Sequence, residues 1–259
     1  MFEFFKKSMM KEFEMTDLGL MRYFLGVEVT QTPAGNFICQ KKYAQELLER
    51  FKLDERTFGT PSELGLKLHK DIDGREVDNR YFKQIVGSLM YLTSTRPDIM
   101  YAVSMISRYM EHPTEKHLNA ARRILRYVRG TSDLGVFYKK GDDPKIVGYT
   151  DSDYAGDIDD RKSTSGSIFL MSSGAICWSS KKQPIVTLST TEAEFVAAAA
   201  CSCQAVWLRK MLEILNQKQP RASTSMFDFI SCVICVKKAL LNSTFAEVMN
   251  KSQTYSQSP

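Results

Sequence analysis

The chain has 259 residues, of which 43% are hydrophobic and 25% charged. That is the balance of a soluble protein able to build a sizeable core, in one large domain or two modest ones. Lys and Arg number 35 against 30 Asp and Glu, a net charge of +5, which suits a polyanionic partner without requiring one.

The first residues place Phe2, Phe5, Met9 and Phe13 at helical spacing, and charges interrupt them, so they do not read as a secretory leader. Asp17, Leu18 and Gly19 end that helix. A strand over 23–30, a turn over 33–36 and a return strand over 36–40 follow. Residues 41–51 form an amphipathic helix with Tyr43, Leu47, Leu48 and Phe51 on one face. Residues 54–78 are broken by Gly59, Pro61, Gly65 and Gly74 and read as a linker. Residues 81–110 are helical on both sides of Arg96-Pro97-Asp98, where the proline restarts the helix. Thr114 caps the next helix, whose apolar face holds Leu118, Ala121, Leu125 and Val128. Its polar face carries Lys116, Arg122, Arg123, Arg126 and Arg129.

From residue 134 the pattern changes to strands over 135–139, 146–150, 167–171 and 175–179, followed by a long helix over 192–215. The apolar stretch at 195–206 is too short to cross a bilayer. Cys232 and Cys235 form a lone C-x-x-C with no second pair or His cluster nearby, so reduced thiols in an intracellular protein are expected rather than zinc. The compartment expected is cytoplasmic or nuclear, with no membrane partner. The last stretch is polar and reads as disordered.

Two groups of residues carry candidate chemistry. Asp151 stands at the expected end of a strand, and Glu192 and Glu194 stand in the first turn of the long helix. Carboxylates from separate elements that converge stay ionised together only around a cation. Oxygen ligands without a nearby His point to Mg²⁺ or Mn²⁺. The competing reading is a turn rich in acids and a helix start whose dipole favours them; Asp153, Asp157 and Asp159, which follow Asp151, are expected to be turn and surface acids. Glu192 and Glu194 lie about 200° apart around a helix, so only one of them faces a common site. The second group is basic. Arg122, Arg123, Arg126 and Arg129, with Lys181 and Lys182, could grip a phosphate backbone or form a solvated face. Tyr127 and Tyr138 could stack on bases or pack inside.

The segments "GYTDSDYAGDIDDRKSTSGSIFL", "AICWSSKKQPIVTLSTTEAEFVAAA" and "AVWLRKML" resemble the RNase H region of copia-type retrotransposon Pol polyproteins. The upstream segments "MTDLGLMRYFLGVEV", "YFKQIVGSLMYLTSTRPDIMYAVSMISRYM" and "HLNAARRILRYVRGT" resemble the end of the same polyprotein's reverse transcriptase and the segment that joins it to RNase H. The resemblance covers about residues 1–219. It implies an α/β fold, an RNase H-like mixed sheet with flanking helices, preceded by a mostly helical thumb or connection segment.

On that resemblance, residues 1–53 are a reverse-transcriptase remnant and 54–133 the connection. Residues 134–219 are a partial RNase H-like domain, and 220–259 a divergent tail. The activity implied is hydrolysis of RNA in RNA–DNA hybrids by two Mg²⁺ ions. Asp151 is then the first ligand, and Glu194, in "AEFVAA", the second. Asp228 lies near the third position, but its neighbours depart from the family pattern, and the fourth position is missing. The paired aspartates of family polymerases are absent, so no polymerisation is expected. The expectation is therefore a degenerate nuclease with a nucleic-acid partner and, in trans, full-length Pol. Two alternatives are a non-catalytic nucleic-acid-binding remnant and a pseudogene product without a selected role.

Overall fold

The computed structural model describes residues 2–14, 19–141 and 145–215. Helix α1 (Phe2–Glu12) leaves Phe5 exposed, and Phe13, just beyond its end, is exposed as well. Strand β1 (Tyr23–Phe24) and strand β2 (Val27–Thr32) occupy the place of the single strand expected over 23–30. The break lies at Leu25 (φ 47°) and Gly26 (φ 77°), a left-handed pair that cannot continue a strand. Pro33 and Ala34 turn the chain into β3 (Gly35–Cys39), where the Thr32 hydroxyl donates to the Gly35 carbonyl at 2.9 Å.

Helix α2 (Lys41–Arg50) buries Ala44, Leu47 and Leu48. Helix α3 (Asn79–Leu92) starts at Asp78, whose carboxylate accepts the Arg80 N–H. A 3₁₀ turn (Pro97–Ile99) leads into α4 (Met100–Ser107), as the proline predicts. Helix α5 (Glu115–Gly130) follows Thr114. These helices close over one core that includes Leu47, Phe82, Ile85, Leu89, Ile106, Ala121, Leu125 and Val128.

The His117 ring seals the start of α5. Its Nδ1 accepts the Thr114 backbone N–H at 3.0 Å, so Nδ1 carries no proton, and Nε2–H donates to the His69 carbonyl at 2.9 Å. The ring is therefore neutral, and burial holds its pKa below the ordinary value. Tyr109 stacks on it at 4.1 Å, and the Tyr109 hydroxyl donates to the Leu68 carbonyl. Residues 54–78 are thus a strap laid across the helices, where the glycines and Pro61 had suggested a linker.

The remaining strands are β4 (Gly135–Lys139), β5 (Ile146–Ser152), β6 (Thr164–Met171) and β7 (Gly174–Lys182), followed by α6 (Thr190–Ile214). Strand β4 pairs with β3, giving a sheet ordered β1-β2-β3-β4; β5, β6 and β7 form a second sheet in that order. Every described pairing is antiparallel. The mixed sheet implied by the resemblance is not present among the described residues.

Tyr149, Ile168 and Trp178 pack on one face of the second sheet, together with Val136 of β4. Gly174 allows this approach, because a Cβ there would meet the Tyr138 ring at 2.4 Å. Phe169 and Cys177 pack on the other face, against Cys201 of α6. The thiol of Cys201 is pushed up by burial to about 12, an inert thiol among the free cysteines of the described residues.

Candidate functional site

Strand β5 runs two residues further than its apolar pattern suggests. Asp151 therefore lies within the strand, opposite Gly166, and not at its end. Side chains alternate along a strand. Asp151 accordingly shares the face of Tyr149, and Ser152 shares the face covered by α6. Asp151 is half-buried.

Ser189 caps α6 by accepting the Glu192 N–H at 3.1 Å, and the Glu192 carboxylate accepts the Leu188 N–H at 2.6 Å. This reciprocal pair satisfies two backbone donors at the helix start. Glu192 is thereby committed to the cap. Glu194 stands three, four and seven residues before the buried Ala197, Ala198 and Cys201, on the stripe that packs toward the sheet. It is half-buried as well.

Gln183 connects the two elements. It is 3% exposed, and its side-chain nitrogen lies 3.1 Å from Ser152 Oγ, 2.9 Å from Ser165 Oγ and 2.9 Å from the Ala193 carbonyl. The residues next to Asp151 and Glu194 thus meet at a single amide. Asp228 lies outside the described residues. Among the described residues, no three His, Cys, Asp or Glu side chains gather into a metal-binding group. Asp151, on the Tyr149 face, and Glu194, on the α6 side, stand on opposite faces of the sheet, so this pair alone does not fit a Mg²⁺ site.

The acids after Asp151 are structural. Asp153 accepts the Thr164 N–H at 2.6 Å. Asp159 accepts the Lys70 N–H. Asp157, expected among the turn and surface acids, is instead only 2% exposed. Arg108, which caps the C-terminus of α4, reaches it at 3.2 Å, and Lys182 of β7 pairs with the same oxygen. Burial alone would push this carboxyl up. The Lys182 ammonium and the backbone N–H groups of Asp160 and Asp159 outweigh that and hold it below the usual carboxylate range.

The basic residues of α5 grip this chain's own strap. Arg126 holds Asp54 through two hydrogen bonds, at 2.7 and 3.0 Å. Arg123 donates to the Thr60 hydroxyl and lies 4.4 Å over the Phe58 ring. Arg129 donates to the Leu53 carbonyl. Arg122 is half-buried and Lys181 exposed, while Lys182 is engaged with Asp157 and Asp160. Tyr127 donates to Asp98, and Tyr138 to the Ala175 carbonyl. Both tyrosine hydroxyls are bonded within the fold.

Sequence reasoning missed Gln183 and Arg108. A lone Gln between a strand and a Pro carries no spacing signal. Arg108 follows an apolar helix and looks like any solvated end. The Ser189-to-Glu192 spacing did carry a signal, since it is the capping-box pattern.

The family described as reverse transcriptase (RNA-dependent DNA polymerase) matches residues 1–63. The Pol polyprotein of transposon TNT 1-94 from Nicotiana tabacum is 41% identical over 224 residues, 83% of this chain and 17% of that protein. The Pol polyprotein of transposon RE1 from Arabidopsis thaliana is 40% identical over 212 residues, 82% of this chain and 14% of that protein. The chain therefore spans less than a fifth of these polyproteins. An uncharacterized mitochondrial protein of Arabidopsis thaliana is 39% identical over 197 residues, 75% of this chain and 81% of that protein. No solved structure matches. No described helix is long and apolar enough to cross a membrane. The chain belongs to the family of copia-type retrotransposon Pol polyproteins.

Proposed function

We propose that residues 134–215 are the first half of an RNase H-like domain, and that the helical region before them is its reverse-transcriptase connection. One observation carries this reading. Three antiparallel strands are followed directly by a helix that packs back on the first of them, so that the strand of Asp151 and the helix turn of Glu194 lie side by side. Glu192 is occupied by the cap, which leaves Glu194 as the carboxylate of that turn turned toward the sheet.

Asp151 and Glu194, the positions that the resemblance marks as metal ligands, stand on opposite faces of the sheet, which supports a degenerate centre. Two-metal hydrolysis needs ligands that the described residues do not provide, and about 1 Å of misplacement costs roughly 10²-fold in rate. The protein is thus a nucleic-acid-binding member of a nuclease lineage with a degenerate centre, whose ligand is an RNA–DNA hybrid.

Hybrid binding measured against salt, alongside a cleavage assay with Mg²⁺, tests this. The expected result is salt-dependent hybrid binding without strand cleavage. Failure to bind hybrid at low salt overturns the proposal. Cleavage that disappears in Asp151→Asn would keep the site and overturn its degeneracy.

A further inference from the structure

The strap and α5 line a cavity of about 310 Å³, at the lower end of the range that holds a small ligand. None of its lining residues comes from β5 or α6, so it stands apart from Asp151 and Glu194. Part of the lining is apolar: Leu66 and Leu68 of the strap and Ala120 of α5. The polar part includes a row of cations along α5. The outer two are neutralised, since Lys116 pairs with Asp71 and Arg126 with Asp54. Arg123, between them, meets no carboxylate among the described residues. Its guanidinium donates to the Thr60 hydroxyl at 3.0 Å and lies 4.4 Å over the Phe58 ring, and its Nε is buried without a partner. A hydroxyl and a ring face offset only part of the cost of a half-buried cation. Lys67, exposed on the strap, also has no ion pair among the described residues. His69 adds a donor: its Nδ1 accepts the Asp71 N–H at 3.1 Å, so the ring proton sits on Nε2. The single acid of the lining is Glu63, which is exposed.

We infer that this cavity binds a small phosphate monoester, with the phosphate at Arg123 and Lys67 and a compact apolar body against Leu66, Leu68 and Ala120. The charge calls for an anion, because two cations without a carboxylate partner share a lining that holds one acid. The donors select the head group. One guanidinium fork satisfies a carboxylate, whereas a phosphate monoester offers three acceptor oxygens to donors from several directions. Arg123, Lys67 and His69 supply such donors from two separate elements. The apolar lining favours an ester over bare phosphate, because the organic group takes that surface out of water. A nucleic-acid backbone would need the arginines of α5 as a continuous track, and Asp54 and the Leu53 carbonyl already occupy Arg126 and Arg129. A single head group needs only Arg123, the member of the row that the strap leaves without an acid.

The test is isothermal titration calorimetry of the full chain with phenyl phosphate, and with inorganic phosphate and phenol as separate titrants. The expected result is binding of phenyl phosphate, several-fold weaker binding of inorganic phosphate, and none of phenol. Arg123→Gln should weaken phenyl phosphate binding about tenfold, the scale of a hydrogen bond to a charged group. Lys67→Ala should weaken it several-fold, and Glu63→Gln should tighten it about threefold by removing the one opposing charge. Lys181→Ala, at an exposed position on β7, should leave it unchanged. No binding of phenyl phosphate overturns the site. Equal affinity for phenyl phosphate and inorganic phosphate reduces it to an adventitious ion only and also overturns it. Parent-like binding in Arg123→Gln overturns it too, as does equal weakening in Arg123→Gln and Lys181→Ala, which would mean general charge attraction. If Arg123→Gln does not fold, the exposed positions decide. Affinity must fall in Lys67→Ala and rise in Glu63→Gln, and any other pair of results overturns the site.

Discussion

The helical region and the second sheet use apolar residues in different ways. Helices α2 to α5 bury Phe82, Ile85, Val86, Ala121, Leu125 and Val128 completely, at 0% exposure, in one closed core. The sheet of β5, β6 and β7 has two small clusters, one on each face. Its helix α6 leaves Phe195, Trp207 and Ile214 exposed. The sheet leans on its neighbour instead. Trp178 donates to the Thr93 carbonyl, Ser104 donates to the Ser180 carbonyl, and Arg108 pairs with Asp157. A region that closes its own core folds on its own terms. A region with two thin cores holds its shape through the surface it docks on.

The largest expected effect separates the two regions. Phe82→Ala should cost about 4 kcal/mol by cavity formation and lower the urea midpoint of the whole protein. Phe169→Ala, at an equally buried position, should abolish hydrogen-exchange protection in β5, β6 and α6 while leaving α3 and α5 protected. Equal loss in both regions would break the comparison and show one cooperative unit.

A smaller effect is expected at the joint between them. Asp157→Asn removes the anion shared by Arg108 and Lys182 and should cost about 2 kcal/mol at neutral pH, the scale of a hydrogen bond to a charged group. The carboxyl is held below its ordinary range, so its contribution is complete above the unfolded-chain value of about 3.9 and is lost as pH falls through the lower folded value. Urea unfolding between neutral and strongly acidic pH should show this loss in the parent and a shallower one in the variant. Parallel profiles would mean that the joint carries no titrating ion pair.

The smallest effect tests the seam between the two sheets. Tyr138→Phe removes the 2.7 Å bond to the Ala175 carbonyl and should cost about 1 kcal/mol, read as a shift in urea midpoint. A shift near zero would mean that ring packing alone holds β4 against β7.

Much of the fold was legible because it is local. The spacing of Leu47, Leu48 and Phe51, and of Leu118, Ala121, Leu125 and Val128, named buried faces that the structure shares. The proline at residue 97 marked a helix restart. Spacing tells which face is buried and says nothing about what covers it. The pairing of β4 with β3 joins segments far apart in sequence. The arginines of α5 gave a basic stripe, and no periodicity could show that Asp54, Phe58 and Thr60 lie across it. Asp157 looked like a turn acid because its partners come from α4 and β7. At the candidate site, the resemblance named Asp151 and Glu194. The amide that ties their elements together emerged only from three-dimensional contacts.

The most direct test is anomalous diffraction from crystals of the full chain grown with an RNA–DNA hybrid and Mn²⁺. The account predicts bound hybrid and no anomalous peak shared by the carboxylates of Asp151 and Glu194, which stand on opposite faces of the sheet. A Mn²⁺ peak held between those two carboxylates, with the hybrid strand cut beside it, would contradict it.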